Sequence, residues 1–247
     1  MRICKPAPGH IPMLRSLWKE VFGDEDAFLD LFFGTAFAHD RCLCAFEGES
    51  LAGMLYWLPC GNFAYLYAVA THPGHRGKGI CRSLIDAAHR AIARQGFRGV
   101  LLYPQEEGLR AMYRKMGYLH ETRIREFRCL PGGGAPALTQ ITAREYFGLR
   151  ASLLPPDAAI QDSPYPELLE SWQFYRGDGF LLAAVCRDNQ LLAGEYLGPE
   201  RMAPGLVAAL GCEAGTFRCP GSEQPFAMFC PLAEQLSVPG YYAFPLD

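Results

Sequence analysis

The sequence is poor in lysine, has no basic excess and contains no uninterrupted membrane-length apolar helix pattern. Only four lysines occur, Lys5, Lys19, Lys78 and Lys115, and with 23 Lys plus Arg against 26 Asp plus Glu the formal net charge is -3. A chain that binds nucleic acid through its phosphates normally carries a basic excess, so nucleic acid is not an expected partner. The ten cysteines are scattered, no Cys-x-x-Cys occurs, and the opening Met-Arg-Ile-Cys-Lys-Pro-Ala-Pro has no apolar signal core. That combination predicts free thiols in a cytoplasmic protein rather than a disulfide framework. Cys42 and Cys44 alternate with Arg41 and Leu43 and share one strand face, but no further ligands are advertised, so no metal site is expected. Leu51 to Thr71 carries no charge and could span a bilayer by count. The turn residues Pro59-Cys-Gly-Asn62 interrupt it, so two buried strands are expected and no membrane segment.

What is present is ordinary for a globular α/β protein. Half of the 247 residues are apolar or aromatic and 20% are charged, enough to bury a core, and the length suits two units. The chemistry concentrates in one stretch. An apolar strand pattern, Tyr65-Leu-Tyr-Ala-Val-Ala70, runs into Thr71-His-Pro-Gly-His-Arg-Gly-Lys-Gly79 and then into an amphipathic helix bearing Ile80, Leu84, Ile85, Ala88 and Ile92. Glycines let the backbone bend, and loop amides with a helix N-terminus offer donors and partial positive charge to an anion. A Walker A loop would need Lys then Ser or Thr after its last glycine, but Ile80 and Cys81 follow Gly79. A dinucleotide fingerprint starting at Gly77 would need glycine where Arg82 stands.

Arg76-Gly-Lys-Gly79-Ile-Cys81 resembles the Arg/Gln-x-x-Gly-x-Gly/Ala signature of the GCN5-related N-acetyltransferases (GNATs), with Cys81 where that family has Gly or Ala. The resemblance covers the first half of the chain. It implies a mixed α/β GNAT fold, acetyl-coenzyme A as cofactor, and a primary amine of a small molecule or peptide as acceptor. It also implies that Arg76, Gly77, Lys78, Gly79, Ile80 and Cys81 hold the pyrophosphate, while the backbone of Ala68, Val69 and Ala70 pairs with the pantetheine arm. Leu109-Arg-Ala-Met-Tyr113-Arg-Lys-Met-Gly117-Tyr118 is similar to the family's Tyr-x-x-x-Gly-Phe/Tyr segment, which makes Tyr113 the expected acid for the departing sulfur. The family's strand glutamate has no counterpart, since the strand before the cradle carries Tyr65 and Tyr67. A non-catalytic acyl-coenzyme A binder or sensor therefore stays open as the alternative.

The expected order is a strand at Arg2 to Pro6, helices ending at Gly23 and starting near Asp24 or Asp26, then strands at Arg41 to Phe46, Leu51 to Leu58 and Phe63 to Ala70. After the cradle helix come a strand at Gly99 to Tyr103, a helix around Leu109 to Met116, and closing strands within Tyr118 to Leu130. Pro131-Gly-Gly-Gly-Ala-Pro136 reads as a linker. The expected division is a GNAT domain over 1–130, a linker over 131–137 and a shortened, cradle-free GNAT-like unit over 138–247, with a homodimer left open. In the second unit helices are expected at Arg144 to Leu154, Pro166 to Tyr175 and near Pro204 to Leu210, with strands at Phe180 to Cys186 and Leu191 to Leu197. Ser50-Leu-Ala-Gly53 and Leu191-Leu-Ala-Gly194 suggest an internal repeat. Glu47, Glu49, His72, His75 and His89 are expected to be solvated.

Overall fold

Near-continuous apolar strands and helices with a single apolar face assemble into a mixed α/β architecture, seen in a computed structural model that describes residues 1–159, 166–169 and 171–243. The chain divides into two units, Met1–His120 with Met228–Leu236, and Glu121–Ala227 with Ser237–Asp247. The first boundary thus falls ten residues or so before the expected one at 130, because the strand there pairs within the second unit.

The first unit runs β1 (Arg2–Cys4), α1 (Ile11–Phe22), α2 (Asp26–Thr35), β2 (Cys42–Glu47), β3 (Ser50–Cys60), β4 (Phe63–Thr71), α3 (Ile80–Arg94), β5 (Gly99–Leu102) and α4 (Glu107–Arg114). Helix α1 buries Leu14, Leu17 and Trp18 and ends at Gly23, whose φ of 78° supplies the left-handed cap. Of the two expected starts of α2, Asp26 is its first residue and Asp24 lies outside it. The Asp24 carboxylate instead accepts the indole N–H of Trp18 at 2.7 Å, and Glu25 is the cap residue. Trp18 is almost fully buried among Phe32, Tyr56 and Tyr67, a polar-tipped aromatic whose one donor is satisfied. On the other side α3 buries Ile80, Leu84, Ile85, Ala88, Ala91 and Ile92, which joins Leu55, Trp57 and Leu66 in one apolar cluster. At ~25 cal/mol per Å² of apolar surface, such a stripe outweighs any intrinsic helix propensity.

The second unit runs β6 (His120–Cys129), β7 (Thr139–Ile141), α5 (Ala143–Arg150), β8 (Gln173–Gly177), β9 (Phe180–Arg187), β10 (Gln190–Leu197), α6 (Ala203–Ala209) and β11 (Ala214–Pro220); β12 (Gln224–Pro231) follows, and its Met228–Pro231 end belongs to the first unit. The helix expected over Pro166 to Tyr175 is a 3-10 turn at Pro166–Leu169 followed by β8, while residues 160–165 and 170 lie outside the described residues. The Pro/Gly segment is not a free linker. Gly132 N donates to Pro204 O at 3.1 Å, and a Cβ on Gly205 would stand 2.4 Å from Gly134 O, so the segment lies against α6.

Strand order makes the internal repeat explicit. It is β1-β2-β3-β4-β5-β12 in the first unit and β7-β8-β9-β10-β11-β6 in the second. In each, the fourth and fifth strands are parallel with a helix between them, β4 with β5 around α3 and β10 with β11 around α6. The sixth is antiparallel to the fifth in both. The closing strands are exchanged along the sequence. Met228–Pro231 of β12 pairs with β5, and Ile124–Cys129 of β6 pairs with β11. Tyr118 to Leu130 therefore supplies one strand, not the expected several, because β6 pairs with β11 while the strand that closes on β5 comes from Met228–Pro231. The Leu-Ala-Gly match is also corrected: Gly53 lies on β3 and Gly194 on β10, which hold different places in the two orders.

The second unit buries a charged cluster that no sequence pattern announced. Arg150 Nη2 donates to Glu195 Oε1 at 2.7 Å, and the hydroxyls of Tyr146 and Tyr241 reach the same carboxylate at 2.8 and 3.0 Å. Both charges are at most 1% exposed, so either one alone would be strongly destabilising.

Candidate functional site

The site begins with a defect in β4. Register runs Met54↔Ala70 and then Tyr56↔Tyr67, so Leu55 alone faces Ala68 and Val69, and Ala68 takes a φ of 46°. A left-handed non-glycine residue costs roughly 1–3 kcal/mol and persists only where its surroundings impose it. Pairing with β5 stops at Tyr65↔Leu101, whereas β4 continues to Thr71. Beyond that point the two parallel strands no longer share a ladder.

After Thr71 the chain makes a 3-10 turn at Pro73–His75, held by His75 N to His72 O at 2.8 Å and by Gly74 N to His72 Nδ1 at 3.1 Å. Gly77 and Gly79 then adopt φ of 78° and 77°. A Cβ at either would meet nothing within 4 Å. These glycines are thus required by backbone conformation, and they leave open space beside the loop. Gly79 is the N-cap of α3 and the first helical bond is Ser83 N to Gly79 O at 3.1 Å. The N–H groups of Ile80, Cys81 and Arg82 consequently have no acceptor within the helix and sit at its positive end.

A cavity of about 740 Å³ opens here. Of the residues singled out in the sequence, Val69, Arg76, Gly77, Gly79, Ile80, Cys81 and Tyr113 line it. Ala68, Ala70 and Lys78 do not: Ala68 forms the bulge, Ala70 is buried opposite Met54, and Lys78 Nζ reaches Glu47 Oε2 at 3.2 Å. The same carboxylate oxygen stands 2.8 Å from His75 Nδ1, and His75 lines the cavity. The ring of His75, with Lys78, holds the Glu47 carboxyl below its ordinary value of 4.5. Glu47 and His75, expected to be solvated, therefore tie the loop to the end of β2.

Burial decides the chemistry of the side chains that face the cavity. The Cys81 thiol is pushed up to about 11 by burial, so it stays protonated at neutral pH and is not a nucleophile there. Tyr113, on α4, is 7% exposed and meets Tyr118 edge-on at 5.8 Å. Tyr118 is fully buried, and its hydroxyl lies 2.8 Å from His89 Nε2. His89, expected at the surface, is half-buried, and the contact spans 29 residues, beyond the reach of any local pattern. Arg82 Nη2 donates to Lys115 O at 2.7 Å, which ties the first turn of α3 to the end of α4. Val21 and Phe22 of α1, Met112 of α4 and Met116 just past its end complete an apolar wall.

A bulged β4 parted from its parallel neighbour, two left-handed glycines and a helix N-terminus opening on one cavity are the construction of a GNAT-fold acyltransferase. Residues 3–120 match the family model for an acetyltransferase (GNAT) domain. No curated protein matches the chain. Solved structures share the fold at low identity. A GCN5-related N-acetyltransferase from Anabaena variabilis is 15% identical, with a TM-score of 0.72 over 94% of this chain and 73% of that one. One from Kribbella flavida is 16% identical, with a TM-score of 0.71 over 94% and 72%. One from Sphaerobacter thermophilus is 12% identical, with a TM-score of 0.55 over 97% and 98%. These matches extend through the C-terminal half, whose strand order repeats that of the first.

Proposed function

We propose that the protein is an acetyl-coenzyme A-dependent N-acetyltransferase acting on a primary amine of a small molecule or peptide. The observation that carries this reading is the placement of the α3 amides and Tyr113 on walls of one cavity. The amides of Ile80, Cys81 and Arg82, with the Arg76 guanidinium, would hold the pyrophosphate of the cofactor, and the β4 edge past Tyr65 would receive its pantetheine arm. The cofactor supplies a thioester whose acyl carbon is open to attack by an amine. Tyr113 donates its proton to the departing sulfur, since a phenol with a reference pKa of about 10 is protonated at neutral pH.

A second reading, a non-catalytic acyl-coenzyme A binder, rests on the absence of Asp or Glu from β4. Thiol release from acetyl-coenzyme A with a panel of amines separates the two readings. Transfer predicts amine-dependent release; binding without release supports the sensor. Tyr113→Phe is expected to lower turnover by ~10²-fold with the KM for acetyl-coenzyme A little changed. Unchanged turnover in the folded variant would remove Tyr113 as the acid.

A further inference from the structure

Among the ten cysteines Cys186 is the exposed one, and its Sγ lies 3.0 Å from Sγ of Cys212, which is 6% exposed. Both belong to the second unit, away in sequence from the cradle. The backbone holds the pair in place. Asp188 and Asn189, at φ of 50° and 58°, form the two-residue turn from β9 to β10, the twist-matched hairpin geometry. Immediately after Cys212, Glu213 N donates to Asn189 O at 2.8 Å, and Asn189 Nδ2 returns a bond to Glu213 Oε1 at 3.3 Å. The parallel register then begins at Gln190↔Ala214. The segment carrying Cys212 is thereby clamped to the turn just past Cys186, so the sulfurs can join with no rearrangement of the strands.

The geometry points to Cys186 and Cys212 as a reversible thiol–disulfide site, oxidised by a peroxide. The sulfur of Cys186 attacks a peroxide oxygen, the O–O bond breaks, and the released hydroxide leaves as water with the proton of the Cys186 thiol. Cys186 is left as a sulfenic acid. The sulfur of Cys212 then attacks the sulfenic sulfur, forming S–S and breaking S–O, and its proton departs with that oxygen as a second water. Two thiols give up two electrons and the peroxide accepts them. Exposure assigns the roles: Cys186 meets the oxidant and Cys212 resolves it. Burial and the neighbouring Cys186 push the Cys212 thiol up to about 12, which keeps it from reacting with peroxide first.

The test treats the purified full-length protein with hydrogen peroxide, alkylates the remaining thiols under denaturing conditions, and maps the non-reduced digest by mass spectrometry. The expected result is one cross-linked peptide pair containing Cys186 and Cys212, two hydrogens lighter than its parts and lost on adding dithiothreitol. A rise in Tm on oxidation should accompany it, and should be absent in Cys186→Ser, where Cys212 stays fully alkylatable. Cys186 recovered as sulfinic or sulfonic acid beside a free Cys212, or cross-linked to another cysteine, overturns the proposal.

Discussion

His89 sits on α3 with Nε2 2.8 Å from the hydroxyl of the buried Tyr118, which in turn meets Tyr113 edge-on. Burial holds its ring below the ordinary value of 6.5, opposed by the Asp86 carboxylate and aided to a smaller extent by Arg90. The folded state therefore prefers the neutral ring, and the unfolded chain takes up the proton more readily. That stability is fully present above 6.5 and is lost as pH falls through 6.5 and then through the depressed folded value. His89→Gln should flatten the loss of stability between about pH 7 and about pH 5, read by urea unfolding at each pH. Identical slopes for variant and wild type would rule out the depressed histidine. The glycine turn before α3 was legible in the chain because glycine spacing is local. His89 and Glu47 were not, because their partners Tyr118 and His75 are 29 and 28 residues away.

Among the elements, α3 depends on a glycine it does not contain. A Cβ on Gly53 of β3 would stand 3.0 Å from Ala70 O, from Ile80 Cγ2 and from Leu84 Cδ1. The first is backbone and cannot swing aside; the others are the apolar stripe of α3. Gly53→Val should therefore lift the first turn of α3 from the sheet, lower stability by ~1–3 kcal/mol and raise the KM for the acyl donor. Calorimetry alongside initial rates checks both, and an unshifted Tm would show that the helix is not seated on this glycine. Gly194 serves a similar end in the second unit, where a Cβ would stand 2.4 Å from the Trp172 ring. The two Leu-Ala-Gly segments thus share a packing demand without sharing a place in the repeat. Strand β10 shows the better correspondence, with a register shift between Ala193 and Glu195 that matches the bulge of β4.

For the whole molecule, the exchanged closing strands mean that neither unit is a contiguous piece of chain. A fragment ending at Pro131 lacks Met228–Pro231, the antiparallel partner of β5, and with it Met228 and Cys230 from the apolar cluster beneath α3. We expect that fragment to lose cooperative unfolding and acyl-donor binding together. Near-ultraviolet circular dichroism and calorimetric titration with acetyl-coenzyme A check this, and native-like affinity in the fragment would show the strand to be dispensable. The reason is non-local: an open β5 edge and an uncovered apolar cluster expose more than the remaining contacts offset.

The sequence by itself determined most elements of the first half and the two-glycine turn that leads into α3. Each of these depends on hydrophobic period, glycine placement or short motifs, which act over a few residues. Tertiary structure alone decided which strand closes each sheet, that Lys78 pairs with Glu47 rather than lining the cavity, and that Arg150 and Glu195 form a buried pair. Those outcomes rest on contacts between residues far apart in the chain, whose energies depend on burial and register, and neither quantity is set by neighbouring residues.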